Sequence, residues 1–259
     1  MSAKQTQAQE FFARNASYYL RSAVHAGGYS LARLVETLRP EPNALALDIA
    51  TGGGHTAQAL RQAGMQVIAS DLTGPLLAAA RGLAPPGSHF VRHSAEQLPY
   101  PAGCFARVSC RNAAHHFVDV QGFLRAAARV LQPGGLLGVV DILSPIVPRE
   151  ARYCNLFETL RDRSHNWAHS MPDWIFMLEQ AGLQVLHTEQ FDLPLMVGVW
   201  AAGAGCNTET LLRLRAMLLQ APGEIRTWYK VSAKDGWSPW ADVPFALQQG
   251  LWVAQKPPI

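Results

Sequence analysis

The sequence predicts an α/β fold in which a mostly parallel sheet carries helices on both faces. Three observations lead to it. Short apolar runs alternate with helical patterns between residues 44 and 143, the rhythm of strand–helix–strand crossovers. The runs are continuously apolar, as in strands buried on both sides. A glycine-rich loop, "DIATGGG" (48–54), joins the first run to a helix, exposing backbone where such sheets take a ligand.

In chain order, "QAQEFFARNASYYLRS" (7–22) and "GGYSLARLVETLRP" (27–40) read as helices. Leu31, Leu34, Val35 and Leu38 fall at helical spacing in the second, and Pro40 stops it. "ALALDIA" is a buried strand, and "HTAQALRQAG" a helix closed by Gly64. "MQVIASD" is the second strand, followed by a helix with Thr73 as cap and Pro75 in its first turn. "HFVRHS" and "FARVSCRN" are strands three and four. "QGFLRAAARVLQPGG" is a helix closed by Pro133, Gly134 and Gly135, and "LLGVVDIL" is the fifth strand. Beyond it the rhythm breaks. A helix and loop (148–167), a helix starting on a Ser170/Asp173 capping box, a strand (183–193), a helical stretch (196–229) and a last strand in 244–258 follow. The whole reads as one domain, 1–259. Its core is about 41–145 with strands near 183–193 and 244–256, and segments 1–40, 146–170 and 196–235 are left as a lid.

A chain of 259 residues, 49% hydrophobic and 16% charged, is long enough for a full core without staples. The net charge is +3 and no basic run reaches five residues, so a nucleic-acid footprint is not indicated. Cys104, Cys110, Cys154 and Cys206 match no zinc spacing and read as reduced thiols of a cytoplasmic protein. No metal site is expected. The N-terminus has no apolar signal core, and no uncharged apolar stretch approaches the length of a membrane span.

Two readings compete for the glycine loop. Gly52 to Ala57 fits G-x-G-x-x-A, a dinucleotide fingerprint, with Asp71 near the ribose-binding distance. That reading makes the protein a nicotinamide-dependent oxidoreductase, and it leaves Asp48 unexplained. Alternatively, Asp48, Ala50, Gly52 and Gly54 form D-x-A-x-G-x-G, which resembles the D-x-G-x-G-x-G motif of class I S-adenosylmethionine-dependent methyltransferases. The resemblance continues in "IASDLT", in "FVRHSAEQLPYPAGCFARV" and in "RVLQPGGLLGVVD". "FFARNASYYLRSAVHAGG" and "CRNAAHHF" are similar to the subgroup of small-molecule methyltransferases related to ubiquinone and menaquinone biosynthesis.

This resemblance, which covers most of residues 10–192, implies a Rossmann-like, seven-stranded sheet with an antiparallel C-terminal strand pair. It implies S-adenosylmethionine as cofactor and methyl transfer by in-line displacement to a small, partly apolar or aromatic molecule. Asp71 would hold the ribose hydroxyls with Leu72 beside it, although an acid at a strand end also caps the next helix. Asp48 either accepts hydrogen bonds from the loop or takes the cofactor's ammonium. The usual acid after the third strand is replaced by Ser94, an uncharged acceptor, with Ala95 and Glu96 following. Arg111 and Asn112 would pass the methionine part.

His115 and His116 follow the fourth strand, and histidine suits the general base of a hydroxyl or amine nucleophile. The resemblance pairs His116 with an N-terminal tyrosine, Tyr19; the structural alternative has one histidine packed under the loop. His25 would line the entrance. Tyr18, Tyr153 and Trp167, with Phe11, Phe12, Phe157 and Trp174, either wall a substrate pocket or form helix-packing core. A non-catalytic module that binds the cofactor has the same sequence features. Acceptor atom and oligomeric state are not legible.

Overall fold

The structure is a computed structural model that describes residues 3–14, 27–231 and 242–258. Its strands are β1 (Leu45–Ile49), β2 (Gln66–Asp71), β3 (His89–Arg92), β4 (Phe105–Arg111), β5 (Leu131–Ile142), β6 (Gln184–Met196) and β7 (Pro244–Gln255). They form one sheet in the order β3-β2-β1-β4-β5-β7-β6. The first five strands run parallel, and β7 is antiparallel to both neighbours. The order reverses at β1, which has β2 on one side and β4 on the other. The crevice at that switch point is where an open α/β sheet takes its ligand.

Helices α1 (Ala3–Arg14), α2 (Tyr29–Leu38), α3 (His55–Gln62), α4 (Gly74–Leu83), α5 (Val120–Val130), α6 (Pro148–Arg161), α7 (Met171–Gln180), α8 (Val197–Gly203), α9 (Thr208–Leu219) and α10 (Gly223–Trp228) surround it. One core layer joins Leu47, Val108 and Val139 of the sheet to Phe123 of α5 and Trp174 of α7. The opposite layer joins Ala46, Val67 and Val140 to Leu34 and Leu38 of α2 and Leu60 of α3. A third cluster, around Phe157, Trp200, Leu218 and Phe245, packs α6 and α8–α10 over the β6–β7 end.

Several sequence expectations hold in detail. Gly64 ends α3 at φ 92, and Ser170 and Asp173 close a reciprocal capping box on α7. Thr73 occupies the cap position of α4 with Pro75 in the first turn, but its side chain makes no capping bond.

Two expectations are corrected. The Pro133-Gly134-Gly135 run does not close α5. That helix stops at Val130, and the run is already β5. Gly134 N donates to Lys256 O at 2.9 Å, and Lys256 N to Gly135 O at 3.0 Å. Pairing across the sheet therefore overrides the local turn signal. Residues 27–40 are not lid either: Leu34 and Leu38 are fully buried, and a Cβ on Gly138 would meet Leu34 Cδ1 at 2.6 Å. Helix α2 is core, seated on β5 because Gly138 leaves space for it.

The four cysteines are free thiols. No helix among the described residues is long and apolar enough to cross a membrane.

Candidate functional site

The loop after β1 turns sharply, with left-handed φ at Ala50 (53°), Gly52 (53°) and Gly54 (80°). Glycine adopts this at no steric cost and alanine does not. Two buried carboxylates hold the turn. Asp48 accepts from Thr51 Oγ1 at 2.6 Å and from Ser109 Oγ of β4 at 2.7 Å. Burial pushes its carboxyl up to about 6 against those bonds. Asp71, at the tip of β2, accepts Gly52 N at 3.0 Å on one oxygen and Thr73 N at 2.8 Å on the other. It thus fixes two strand-end loops and still lines the cavity above them.

That cavity has about 1050 Å³ of empty space, open mouth included, over the tips of β1, β2, β3 and β4. Asp48, Ala50, Gly52, Asp71, Leu72, Ser94, Ala95, Glu96, Arg111 and Asn112 all line it, as the sequence reading expects of a cofactor pocket. Gly54 does not. It lines a smaller neighbouring hollow, where its φ of 80° serves the turn into α3. Ser94 Oγ donates to Glu96 Oε2 at 3.0 Å, while Glu96 Oε1 accepts Val118 N and Asp119 N at 3.1 and 3.0 Å. Arg111 reaches Thr56 Oγ1 at 3.1 Å, and Asn112 accepts from Gln249 Nε2 at 2.8 Å. Helix α1 is the roof: Gln9 Nε2 donates to Leu72 O at 2.9 Å and Gln5 Nε2 to Glu96 Oε2 at 2.5 Å. Sequence reading missed Gln5 and Gln9, because nothing local marks a glutamine as a contact across more than 60 residues.

A second chamber, about 740 Å³ on the same measure, adjoins the first and shares Phe12, Asn112 and His116 with it. Ile142, Leu193, Leu195 and Leu247 give it apolar walls, and Glu158, Asp162 and Gln249 add polar ones.

His116 therefore faces both spaces. It ends a single 3-10 turn, Ala114–His116, after β4. Its Nδ1 lies 3.1 Å from Ser164 Oγ, which in turn lies 2.6 Å from Asp162 Oδ1. The carboxylate takes the hydroxyl proton, so Ser164 must accept from Nδ1–H, and the basic nitrogen of His116 is Nε2. Burial, then the charge of His115, pushes His116 down to about 4. His115 is the histidine that packs under the loop. Its N–H and its ring Nδ1 both bond the Asp141 carboxylate, and its carbonyl accepts Asn166 N and Trp167 N. Burial alone would lower its pKa, but Asp141 more than reverses this.

Tyr18, Tyr19 and His25 lie outside the described residues, so the Tyr19–His116 pairing has no geometry here. Tyr153 and Trp167 line neither cavity. The Tyr153 hydroxyl bonds Met217 O at 2.6 Å within the α6–α9 packing, and Trp167 is 37% exposed. Phe157 and Trp174 are core, and among the described members of the aromatic set Phe12 is the one that walls both cavities. Asp141, Glu158, Asp162 and Ser164 were missed: their partners come together only in three dimensions. Among the described residues, no group of three or more His, Cys, Asp and Glu could hold a metal ion.

A family profile described as a methyltransferase domain matches residues 47–139. A solved structure from Bacillus halodurans, described as a methyltransferase, superposes with a TM-score of 0.82 and is 33% identical, over 89% of this chain and 100% of that one. YcgJ of Bacillus subtilis, an uncharacterized methyltransferase, is 29% identical over 88% of this chain and 92% of its own. Its crystal structure also gives a TM-score of 0.82. A demethylmenaquinone methyltransferase of Thermus thermophilus is 36% identical over 38% of this chain and 47% of its own.

Proposed function

Because the chain belongs to the class I S-adenosylmethionine-dependent methyltransferases, we propose that the cavity over β1–β3 holds S-adenosylmethionine and that the adjoining chamber takes a small, partly apolar acceptor. The residues present fit the cofactor. Among the described residues, Asp48, Asp71 and Glu96 line its cavity against one guanidinium, that of Arg111, an acid-rich wall that suits an ammonium and a sulfonium and opposes a pyrophosphate. A Cβ on Gly52 would meet no protein atom within 4 Å, so backbone and ligand can approach there. Asp71 would hold the ribose hydroxyls, Ser94 and Glu96 the adenine edge, and Leu72, Leu76 and Phe117 its faces. When bound, the cofactor supplies a methyl group already activated by a positive sulfur.

The chain's own work is then alignment and exclusion of water. Helix α1 would cover the cofactor, and Phe12 lines both spaces. His116 stands at the junction, and its position there carries the reading. Its Nε2 accepts the hydrogen bond of an acceptor hydroxyl or amine and takes the proton once methylation makes that group strongly acidic. Asp162, through Ser164, keeps the imidazole in the tautomer this requires. The apolar chamber walls support a ring or chain as acceptor body, as does the demethylmenaquinone acceptor in the name of the Thermus relative. We read the enzyme as cytoplasmic, which its free cysteines support. The experiment is a radiolabelled methyl-transfer screen of hydroxylated and amino arenes with wild type and His116→Ala. A product formed by wild type and not by the variant supports the assignment. A cofactor-binding protein that methylates nothing would be a non-catalytic module.

A further inference from the structure

We propose that Glu158 is the docking group of the second chamber, receiving a hydrogen bond from a hydroxyl or amine that the acceptor carries away from the methylated atom. This rests on the reading of that chamber as the acceptor site. Glu158 lies on α6, is only 6% exposed and lines the chamber. Its Oε1 is fully buried with no hydrogen-bond partner among the described residues.

The other polar groups around the chamber are engaged. Ser164 donates to Asp162 through both N and Oγ, at 2.8 and 2.6 Å. Gln249 donates to Asn112 at 2.8 Å. The Arg161 guanidinium donates to Trp200 O at 3.1 Å and lies 4.7 Å over the Trp200 ring. The nearby imidazole of His115 is held by Asp141. Glu158 is left with an unmet acceptor in an apolar space, an arrangement that costs stability unless a ligand completes it.

The chemistry of the walls sets the class of ligand. Ile142, Leu193, Leu195 and Leu247 pack an apolar body, and His116 and Glu158 offer it two hydrogen-bond acceptors. His116 Nε2 and the unpartnered Glu158 oxygen both accept, so a ligand that donates to both is favoured. Among the described lining residues the carboxyl groups of Glu158 and Asp162 outnumber the guanidinium of Arg161, whose Nε–H is on Trp200 O, so the lining disfavours a carboxylate or phosphate. The ligand is therefore an uncharged or cationic apolar molecule with two separated donors, such as a dihydroxyarene.

The test is calorimetric titration of the full chain, saturated with S-adenosylhomocysteine, with 2,6-dihydroxynaphthalene and with 2-naphthol. Wild type should bind the diol at least about tenfold more tightly. Glu158→Leu should bind the two alike. Glu158→Gln, which keeps a neutral acceptor, should retain part of the preference and stands in for the leucine variant should that one not fold. Both variants should bind S-adenosylhomocysteine as wild type does. No diol preference in wild type, no binding of either probe, or a full preference in both variants would overturn the proposal. Failure of S-adenosylhomocysteine to bind wild type would instead sink the cofactor assignment.

Discussion

The rings of His115 and His116 lie 4.0 Å apart between centres, yet their surroundings shift their basicity in opposite directions. Asp141 holds His115 toward imidazolium, while burial and that neighbouring charge hold His116 neutral down to about pH 4. The carboxylate that raises His115 thereby helps to keep its neighbour available as an acceptor.

His116→Ala should lower kcat by about 10²- to 10⁴-fold, the usual worth of a positioned base, with cofactor affinity changed only a few-fold. Single-turnover methyl transfer and calorimetry separate the two. His115→Asn removes the neighbouring charge, so the midpoint of His116 should rise from about 4 toward 6.5. NMR titration of the imidazole reads this directly, and an unmoved midpoint would contradict the electrostatic coupling.

Glu158 should show itself in the pH dependence of stability. Burial holds its carboxyl near 7 instead of 4.5. Between those values the unfolded chain has ionised and the folded one has not, so stability falls as pH rises from about 4.5 to 7. Asp48, near 6, contributes with the same sign between about 4 and 6. Glu158→Gln removes its own share and should stabilise the protein by up to about 3 kcal/mol at pH 7 and by nothing below pH 4.5. Urea denaturation at both pH values checks it; a variant less stable at pH 7 would mean that the carboxylate is satisfied within the fold.

Ala50 stands at φ 53° in the turn after β1. Left-handed alanine costs roughly 1–2 kcal/mol, and glycine's extra freedom in the unfolded chain offsets about 0.4–1 of that. Ala50→Gly should therefore stabilise by about 0.5–1 kcal/mol in denaturant melts. A loss of stability would show that the alanine methyl packs usefully.

Gly138 tests the core status of α2. A methyl there would lie 2.6 Å from Leu34 and 2.9 Å from Leu38, both fully buried. Gly138→Ala should destabilise by about 1–3 kcal/mol through overpacking. A neutral substitution would mean that α2 sits loosely on β5.

The sheet was legible because its signals are local. Continuous apolar runs bounded by Gly64, Gly52 and the Ser170 cap fix strands and helices wherever the partner is the generic interior. The first cavity was legible for a related reason: Asp48, Asp71 and Ser94 all sit at strand tips, where chain order already assigns them to one edge. What escaped depends on contacts distant in sequence. Pro133-Gly134-Gly135 became strand through Lys256, the residue after β7 and more than 100 positions on. The burial of Glu158 escaped because α6 buries Asn155 and Glu158 together with Phe157, so its inward face has no apolar stripe to read. The relay from His116 through Ser164 to Asp162 joins His116 to residues 48 and 46 positions on, in a loop with no motif.

The cofactor assignment turns on Asp71, the buried acid between two strand-end loops. Its most direct measurement is calorimetric titration of wild type and Asp71→Asn with S-adenosylhomocysteine and, in parallel, with NAD. Wild type should bind S-adenosylhomocysteine and not NAD, and the asparagine variant should lose at least about 2 kcal/mol, roughly 30-fold, from bonds to a charged acceptor. Binding of NAD in place of S-adenosylhomocysteine, or equal affinity in the two proteins, would contradict it.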